Sequence, residues 1–350
     1  MSTTTHPVED YMREELSPAV EAYLRHRRSQ DYSKATLRHE QQVLKRFMLI
    51  NGNIWCHGIT DVQVNRHFEE VSKTRAPSSM RNDHATLQQF FKWCRHTGRM
   101  PVDSDPMFGR RQPKAMHRER NRIPVTDFTR LLEVAEEKEP RDRVLVAVLL
   151  YTLMRDSEVT SLRIRDVDLN GGWIKAVIHK TRQEDMVPIS SELDAELRAW
   201  LTHYTTMVGN LEPHHFLIPA RAVHPVHGGD GKITHHASIY KPERQIRAAG
   251  RVVTPLLERF GFPIADQYGK PLNEGAHTIR RSGARALFDQ LVDGGYDHGL
   301  RVVQSLLHHK SMTMTEKYIG ISADRRSRDD IIRGHTMYRV ERDNVIELVR

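Results

Sequence analysis

A tyrosine near the end of the chain follows two adjacent histidines at a spacing that could support covalent chemistry. The stretch LLHHKSMTMTEKY covers residues 306–318 and contains His308, His309 and Tyr318. A phenol oxygen becomes an effective nucleophile when a neighbouring base or cation activates it, and a histidine can act as that base. Taken singly, a packing tyrosine and a structural histidine are the more common explanations.

The geometry of this stretch depends on whether one helix or two carry it. On a single straight helix, nine residues would separate His309 from Tyr318 by about 13 Å, too far to share a reacting atom. Thr313 and Glu316 form a Thr-x-x-Glu capping box, which predicts a new helix starting near Met314. The break allows His309, at one helix end, to face Tyr318 in the second turn of the next.

Three other places hold reactive side chains at short spacing. Arg155 and Glu158 are three residues apart, so on a helix they share a face and the carboxylate can fix the guanidinium. His277 and Arg280 have the same spacing, and Lys180 ends an alternating stretch and enters a loop. A surface ion pair, an arginine-rich helix start and a solvated lysine are the alternatives for each pattern taken singly.

A helical module upstream of residue 109 is predicted from capping signals and apolar periodicity. Ser33 is a candidate N-cap, and either Thr60 or Asp61 can cap a second helix. Gly98 is expected to end a third helix.

The downstream half combines helices with a small sheet. The apolar run at residues 144–154 is too short to span a membrane and predicts a buried helix ending near Thr152. The Asn-Gly-Gly turn at residues 170–172 and the alternation in WIKAVIHK predict an antiparallel hairpin, with MVPIS as a further short strand. Residues 209–275 give no assignment, and helices resume at His277. The predicted fold is mainly α with a small antiparallel β-sheet, an α+β class.

Charge points to a polyanionic partner. The 350 residues carry a formal net charge of +8, and residues 109–122 form a polar, proline-containing segment that is predicted to be a basic linker. Such a segment can lie along a phosphate backbone or be only a solvated hinge. Two cysteines and no signal-like apolar segment fit a cytoplasmic protein. The cations of the linker that are candidates for DNA binding are Arg110, Arg111, Lys114, Arg118, Arg120 and Arg122.

Taken together, these patterns resemble the tyrosine recombinase (phage integrase) family of DNA strand-exchange enzymes over about residues 15–335. The stretch YTLMRDSEVTSL resembles the first arginine box of the family, and HKTRQEDMVPI resembles its strand-turn lysine motif. The stretch HTIR resembles the His-x-x-Arg box. The stretch LHH resembles the Leu-Gly-His box, and Tyr318 follows its last histidine by nine residues, as the family nucleophile does. Two family glycines are replaced, by Met154 and by His308. The family residues on matching positions are Arg155, Glu158 in support, Lys180, His277, Arg280, His309 and Tyr318.

The resemblance implies a mechanism without metal, nucleotide or other cofactor. Tyr318 would attack a phosphodiester to form a 3′-phosphotyrosine and release a 5′-hydroxyl, with Lys180 as general acid. The arginines and histidines would stabilise the charged transition state, and His277 is a candidate for taking the phenol proton. The nearby cations are expected to lower the pKa of Tyr318 below its usual value near 10.

The resemblance also implies a domain organisation. We expect an N-terminal tail at 1–14, a helical core-binding (SAM-like) DNA-binding domain at 15–108, the basic linker at 109–122, and a catalytic domain at 123–335. The tail at 336–350 is expected to dock either on a neighbouring subunit or on its own domain. We expect no additional arm-site DNA-binding domain.

The expected partners are double-stranded DNA at specific recombination sites and other copies of the chain. The two domains would form a clamp around DNA, within a homotetramer built as a pair of dimers. Accessory DNA-bending or directionality proteins could assist. The expected setting is a bacterial or phage-encoded protein associated with the nucleoid, without a membrane role.

Three alternatives remain on the sequence alone. One is a nicking-closing enzyme similar to type IB topoisomerases, and another is a non-catalytic DNA-binding regulator with the same fold. The third is a metal protein that uses the histidines at positions 214, 215, 224, 227, 235 and 236. These histidines lack the spacing of common zinc motifs.

Overall fold

The computed structural model describes residues 12–114, 120–178, 183–227, 233–265, 271–272 and 274–321. The chain divides into two compact units, with the division between residues 118 and 119, inside the predicted linker. Within the described ranges, every helix is too short or too polar to cross a lipid bilayer.

The N-terminal unit is a four-helix module. Its helices are α1 (Leu16–Ser29), α2 (Lys34–Asn51), α3 (Asp61–Ser72) and α4 (Pro77–His96). Ser33 caps α2 by accepting a hydrogen bond from the Thr36 N–H, and Thr60 caps α3, as the sequence predicts. The core contains Leu44, Phe47, Phe90 and Phe91, all fully buried.

The C-terminal unit begins with two helices that pack against each other. They are α5 (Phe128–Lys138) and α6 (Pro140–Thr152), and α6 is the predicted buried helix. Because α6 is apolar on nearly every side, it lies at the centre of the core with neighbours all around it. The short helix α7 (Asp156–Ser161) follows at once.

A three-stranded antiparallel sheet comes next, in the order β1 (Val167–Asp168), β2 (Trp173–Ile178), β3 (Gln183–Pro188). Gly172, in the predicted turn, has φ +76, a conformation that favours glycine. The small sheet in a largely helical unit confirms the predicted α+β class.

The segment that the sequence left unassigned contains a β-ribbon. After α8 (Ser191–Val208), strands β4 (Pro219–His227) and β5 (Ile233–Gln245) pair with each other in antiparallel fashion, and α9 (Gly250–Phe260) follows. Tyr240 of β5 and Arg221 of β4 both donate hydrogen bonds to the buried carboxylate of Glu139, at the start of α6. These contacts anchor the ribbon to the core.

Three helices complete the described part of the unit: α10 (Ala276–Asp293), α11 (Gly299–Leu307) and α12 (Met312–Ile319). The break before the tyrosine is where the sequence predicts it, but the predicted cap is wrong. Ser311, rather than Thr313, caps α12, and its hydroxyl accepts from the Met314 N–H. The helix therefore starts two residues before Met314, because a serine with extended backbone precedes the threonine box.

Candidate active site

Two arginines from different helices meet at one backbone oxygen. The Arg280 Nη2 atom donates to the Leu307 carbonyl at 2.8 Å, and the Arg155 Nη2 atom reaches the same oxygen at 3.3 Å. Residue 307 ends α11, directly before the two histidines. The two guanidiniums thus converge on a single partly negative oxygen, an arrangement that also suits a phosphate oxygen.

Arg155 is positioned by the turn between α6 and α7. Leu153 adopts a left-handed conformation with φ +56, which ends α6 and sends the chain into α7. Met154, which replaces a family glycine, is buried and does not have a positive φ. The Glu158 carboxylate is buried and accepts from the Arg155 N–H at 2.7 Å and from its Nη1 atom at 2.9 Å. The predicted Arg155–Glu158 pair is therefore present and partly buried. The expectation of a shared helix face is wrong, because Arg155 precedes α7 as its N-cap with extended backbone.

Arg280 lies deep in the unit, with 2% of its surface exposed. Burial lowers the pKa of its guanidinium, while the neighbouring Tyr318 and Glu158 oppose that shift. An arginine nevertheless keeps its charge at neutral pH. Its Nε atom has no hydrogen-bond partner among the described residues. A buried cation of this kind is a strong site for a developing negative charge.

Tyr318 lies between the second histidine and the buried arginine. Its ring centroid is 5.2 Å from that of His309, with the rings nearly perpendicular. The Arg280 Cζ atom is 5.7 Å from the Tyr318 centroid, and the phenol hydroxyl is 3.4 Å from the His277 carbonyl oxygen. Tyr318 thus lies beside His309 and Arg280 of its own chain, and its ring also packs on a small apolar cluster around Leu307.

His309 is held by the turn between α11 and α12. Its Nδ1 atom lies 3.2 Å from the Thr315 hydroxyl, and its N–H donates to the Gln304 carbonyl. The preceding His308 has φ +52, in the left-handed region where the family glycine would fit without strain.

The electrostatics of the site favour a neutral histidine beside a protonated tyrosine. Desolvation by the surrounding protein, and then the Arg280 charge, lowers the pKa of His277, although part of its side chain is exposed. Burial raises the pKa of Tyr318, and the charges of Arg280, Arg281 and Arg155 offset only part of that increase. The expectation of a lowered tyrosine pKa is therefore wrong for the DNA-free chain, because desolvation outweighs the cations.

Two predicted site residues lie outside the described residues. Lys180 belongs to the loop at residues 179–182, between β2 and β3, and Arg118 belongs to residues 115–119. Residues 1–11, most of the predicted N-terminal tail, residues 322–335 of the predicted catalytic domain and the tail at 336–350 are outside them as well.

The described linker cations differ in their surroundings. Arg111, Lys114 and Arg120 are exposed. Arg110 packs on the N-terminal unit, with its Cζ atom 4.0 Å from the Phe68 ring centroid and a hydrogen bond to Asn65. Arg122 donates to the Ile319 carbonyl at 2.6 Å.

Sequence reasoning missed several residues that support the site. The His308 Nε2 atom lies 2.7 Å from the Asp185 carboxylate, which links the turn before His309 to strand β3. Arg281 is buried beside Glu274, with a hydrogen bond of 3.2 Å. His308 is recognisable in the sequence because it stands where the family's Leu-Gly-His box has a glycine. No local pattern in the sequence indicates Asp185 or Glu274.

The histidine-rich segment brings His214, His215 and Glu243 together, with ligand atoms within 4.8 Å of one another. The Glu212 N–H donates to the Nδ1 atom of His215 at 3.0 Å. A neutral imidazole that accepts at Nδ1 carries its proton on Nε2, so this nitrogen has no lone pair for a metal. His224 is on β4, and the side chains at positions 227, 235 and 236 are not among those that the structure describes. This arrangement favours a surface polar cluster over a metal centre.

Comparison with known proteins points in the same direction as the geometry. The model of the phage integrase family matches residues 121–325. A relative, tyrosine recombinase XerC of Pelobacter propionicus, is 26% identical over 266 residues, which cover 75% of each chain.

Solved structures resemble this fold over nearly the whole chain. A lambda integrase dimer bound to a COC′ core site has a TM-score of 0.65 and 16% identity, and the match covers 92% of this chain and 83% of that one. A lambda integrase tetramer bound to a Holliday junction has a TM-score of 0.64 and 14% identity, covering 91% and 82%. The family match spans more than half of the chain, and it includes every predicted catalytic residue. This protein therefore belongs to the phage integrase family and is a tyrosine recombinase.

Proposed function

We propose that this recombinase cleaves and rejoins duplex DNA at specific sites through a covalent 3′-phosphotyrosyl intermediate on Tyr318. The observation that carries the proposal is the convergence of Arg155 and Arg280 on one oxygen, the Leu307 carbonyl, beside the Tyr318 ring. A scissile phosphate that enters this place would meet two cations, and a nucleophile would lie next to it.

The first step forms one bond and breaks one. The Tyr318 oxygen attacks phosphorus, the new phosphorus–oxygen bond forms, and the bond to the 5′-oxygen breaks. Arg155 and Arg280 neutralise charge on the non-bridging oxygens, where buried donors contribute most. His277, neutral because its pKa is lowered, is suited to accept the phenol proton. His309 is suited to donate a hydrogen bond to the phosphate.

The departing 5′-oxygen needs a proton, which we assign to Lys180. Its neighbours β2 and β3 form a regular hairpin whose register brings Ile178 opposite Gln183. The covalent intermediate conserves the bond energy, so attack by a 5′-hydroxyl of another strand restores a phosphodiester and frees the tyrosine. No metal or nucleotide enters this cycle.

We further propose how the chain engages DNA. The N-terminal unit and the catalytic unit would hold duplex DNA between them, with linker cations on the phosphates. Exposed Arg111, Lys114 and Arg120 suit this role. A homotetramer, assembled as a pair of dimers and joined through residues 336–350, would pair two sites, by analogy with the lambda integrase tetramer on a Holliday junction. Accessory DNA-bending or directionality proteins would act on this assembly, in the cytoplasm and at the nucleoid.

The test is cleavage of a nicked suicide substrate, a duplex that carries the sequence of the protein's recombination site. Wild-type protein is expected to accumulate a covalent protein–DNA complex, whereas Tyr318→Phe is expected to bind the same DNA without forming it. Tyr296→Phe is a matched control, because this exposed tyrosine lies outside the site, and it should cleave normally.

Three results would contradict the proposal or replace it. A Tyr318→Phe protein that still becomes attached to DNA would exclude the assigned nucleophile. Relaxation of supercoiled plasmids of any sequence, without strand exchange, would favour a topoisomerase-like enzyme. Binding without cleavage by the wild type would favour a regulator.

A further inference from the structure

The end of the basic linker is bonded to α10, which carries His277 and Arg280, and to α12, which carries Tyr318. The Arg281 Nη2 atom of α10 donates to the Asn121 carbonyl at 2.6 Å, and the Ile123 N–H donates to the Ser282 hydroxyl at 2.9 Å. Between these two bonds, Arg122 donates to the Ile319 carbonyl of α12 at 2.6 Å. Residues 121–123, here called the brace, thus connect α10 with α12.

The bond from Arg122 is directed at the last carbonyl of the nucleophile helix. The carbonyls at a helix C-terminus lack partners within the helix and carry partial negative charge, so a guanidinium there satisfies an acceptor and stabilises the helix end. Gly320, which follows, has φ +79, and a Cβ atom on it would lie 3.2 Å from the Arg122 Nη1 atom. A glycine at this position therefore also lets the guanidinium approach closely. Arg285 of α10 reaches the same carbonyl at a longer 3.5 Å.

The acceptor is next to the nucleophile in the chain. Ile319 directly follows Tyr318, and its side chain is fully buried in the cluster around Leu307. A displacement of this helix end would move the phenol relative to His277 and Arg280, which α10 carries. Reaction rates depend steeply on such placement, since a shift of about 1 Å can cost roughly a hundredfold.

The surroundings of Arg122 differ from those expected of a phosphate contact. Arg122 is half-buried and points at a protein carbonyl, whereas Arg111 and Arg120 of the same linker are exposed. A cation that contacts DNA phosphate should contribute to affinity and to its salt dependence. A cation that holds a helix should contribute to the rate of the bound complex.

We infer that Arg122 is a positioning residue for the nucleophile, and that the brace sets the place of Tyr318 relative to His277 and Arg280. This inference rests on the proposed function of Tyr318. Arg122, the last cation of the linker, therefore contributes to the rate of cleavage rather than to DNA affinity. Its hydrogen bond to Ile319 connects the linker directly to α12.

The test separates binding from cleavage in the full-length protein. Arg122→Met keeps the apolar part of the side chain and removes its donors, and Arg122→Lys keeps a charged donor for the Ile319 carbonyl. DNA affinity is measured at several salt concentrations, and covalent-complex formation on the suicide substrate is measured at saturating DNA. All rates are compared below the unfolding transition of every variant.

The expected result is specific to a positioning role. Arg122→Met should bind with an unchanged affinity and salt slope, but should form the covalent complex about 10- to 100-fold more slowly at saturation. Arg122→Lys should recover most of the rate. Arg259→Ala, which breaks an exposed ion pair with Glu137 in the same unit, should behave as the wild type. Arg111→Ala should instead weaken binding and reduce the salt slope by about one.

Three results would overturn the inference. If Arg122→Met cleaves at the wild-type rate once DNA is saturating, the bond to Ile319 has no positioning role. Arg122→Met could also reduce the slope of log affinity against log salt concentration by about one and cleave at the wild-type rate at saturating DNA. Arg122 would then be a phosphate contact. A wild-type protein that forms no covalent complex at all would overturn the proposed function, and this inference with it.

Discussion

At the scale of single residues, the site combines a buried arginine, a half-buried arginine and a partly buried tyrosine. Arg280 is almost completely buried, and Arg155 is held by the buried carboxylate of Glu158. Burial of this kind strengthens electrostatic interactions with a phosphate, because little water competes. Burial of the Tyr318 ring raises the pKa of its phenol. The phenol therefore needs a base to accept its proton when it attacks the phosphate.

The lowered pKa of His277 leads to a prediction about pH. Its folded-state pKa lies below the ordinary value of about 6.5, so the imidazole is neutral and able to accept a proton at pH 7. Cleavage at subsaturating DNA, which reports the free enzyme, should therefore lose activity only on the acid side, with a midpoint below about 6.5. Single-turnover rates between pH 5 and pH 9 measure this limb.

The control for this prediction is His277→Gln, which should lack the acid limb. A midpoint above the ordinary histidine value in the wild type, or an unchanged limb in the variant, would show that another group controls the reaction.

The residues of the site could be recognised from the sequence because their spacing is local. Arg155 caps the helix that carries Glu158, and His277 and Arg280 lie three residues apart on α10, so both patterns are visible in short stretches of sequence. The contact between His308 and Asp185 could not be predicted in this way, since it joins a turn to a strand 123 residues away. The net pKa of Tyr318 also needed the fold, because burial is not a local property.

At the scale of elements, the packing of α6 against α10 determines where both arginines lie. Helix α6 leads into Arg155, and α10 carries Arg280. Gly283 lies where the two helices meet, and a Cβ atom on it would lie 2.2 Å from the Leu150 carbonyl oxygen. The absence of a side chain there allows the helix backbones to approach closely.

Gly283→Ala should therefore destabilise the catalytic unit and slow cleavage. Forcing a methyl group against a backbone carbonyl typically costs about 1–3 kcal/mol, because two packed helices must separate. Thermal unfolding and suicide-substrate cleavage measure the two effects. Gly250→Ala is the matched control at the start of α9, where a Cβ atom would meet nothing within 4 Å. Equal melting temperatures for Gly283→Ala and the wild type would contradict this account of the packing.

Capping and periodicity predicted many of the elements, while the β-ribbon escaped them. Ser33 and Thr60 were identified because a cap needs only a side chain near its own helix. The ribbon at 219–245 has few alternating apolar residues, and it is anchored by the contacts of Tyr240 and Arg221 with Glu139. Contacts between segments so distant in the chain leave no local pattern in the sequence.

At the scale of the whole molecule, the N-terminal unit has an ionic centre of its own. Asp83 is fully buried, 3.0 Å from the Arg46 guanidinium and 3.6 Å from both Arg75 and His67. Burial alone would raise the pKa of Asp83, but the nearby His67 imidazole and the charges of Arg46 and Arg75 outweigh it and lower the pKa.

This shift leads to a prediction about stability and pH. Because the pKa is lower in the folded state than its unfolded value of about 3.9, Asp83 stabilises the unit fully well above that value. The contribution is lost as the pH falls through the unfolded and then the folded pKa. Asp83→Asn should cost about 1–3 kcal/mol near pH 7, because it leaves the partly buried Arg46 and Arg75 without a carboxylate. Urea unfolding of the full chain between pH 3 and pH 7 measures both effects.

The variant should also show a flatter pH dependence below about pH 4. Asp103→Asn, at an exposed position, serves as the control and should leave the curve unchanged. If Asp83→Asn and the wild type lose stability in parallel on acidification, the ionic centre is not the cause of acid sensitivity.

The division between the two units lies within residues 109–122, the segment whose charge and proline predict a linker. The linker ends could not be anticipated, because Arg110 and Arg122 look like the other linker cations in the sequence. Only the fold shows that each has a protein partner.

The central claim is that the oxygen of Tyr318 becomes covalently attached to DNA. The most direct measurement is mass spectrometry of the covalent complex trapped with a nicked substrate, after digestion of both protein and DNA. We predict a peptide containing Tyr318 with a nucleotide attached through its 3′-phosphate. An adduct on any other residue, or broken strands without a protein adduct, would contradict the claim.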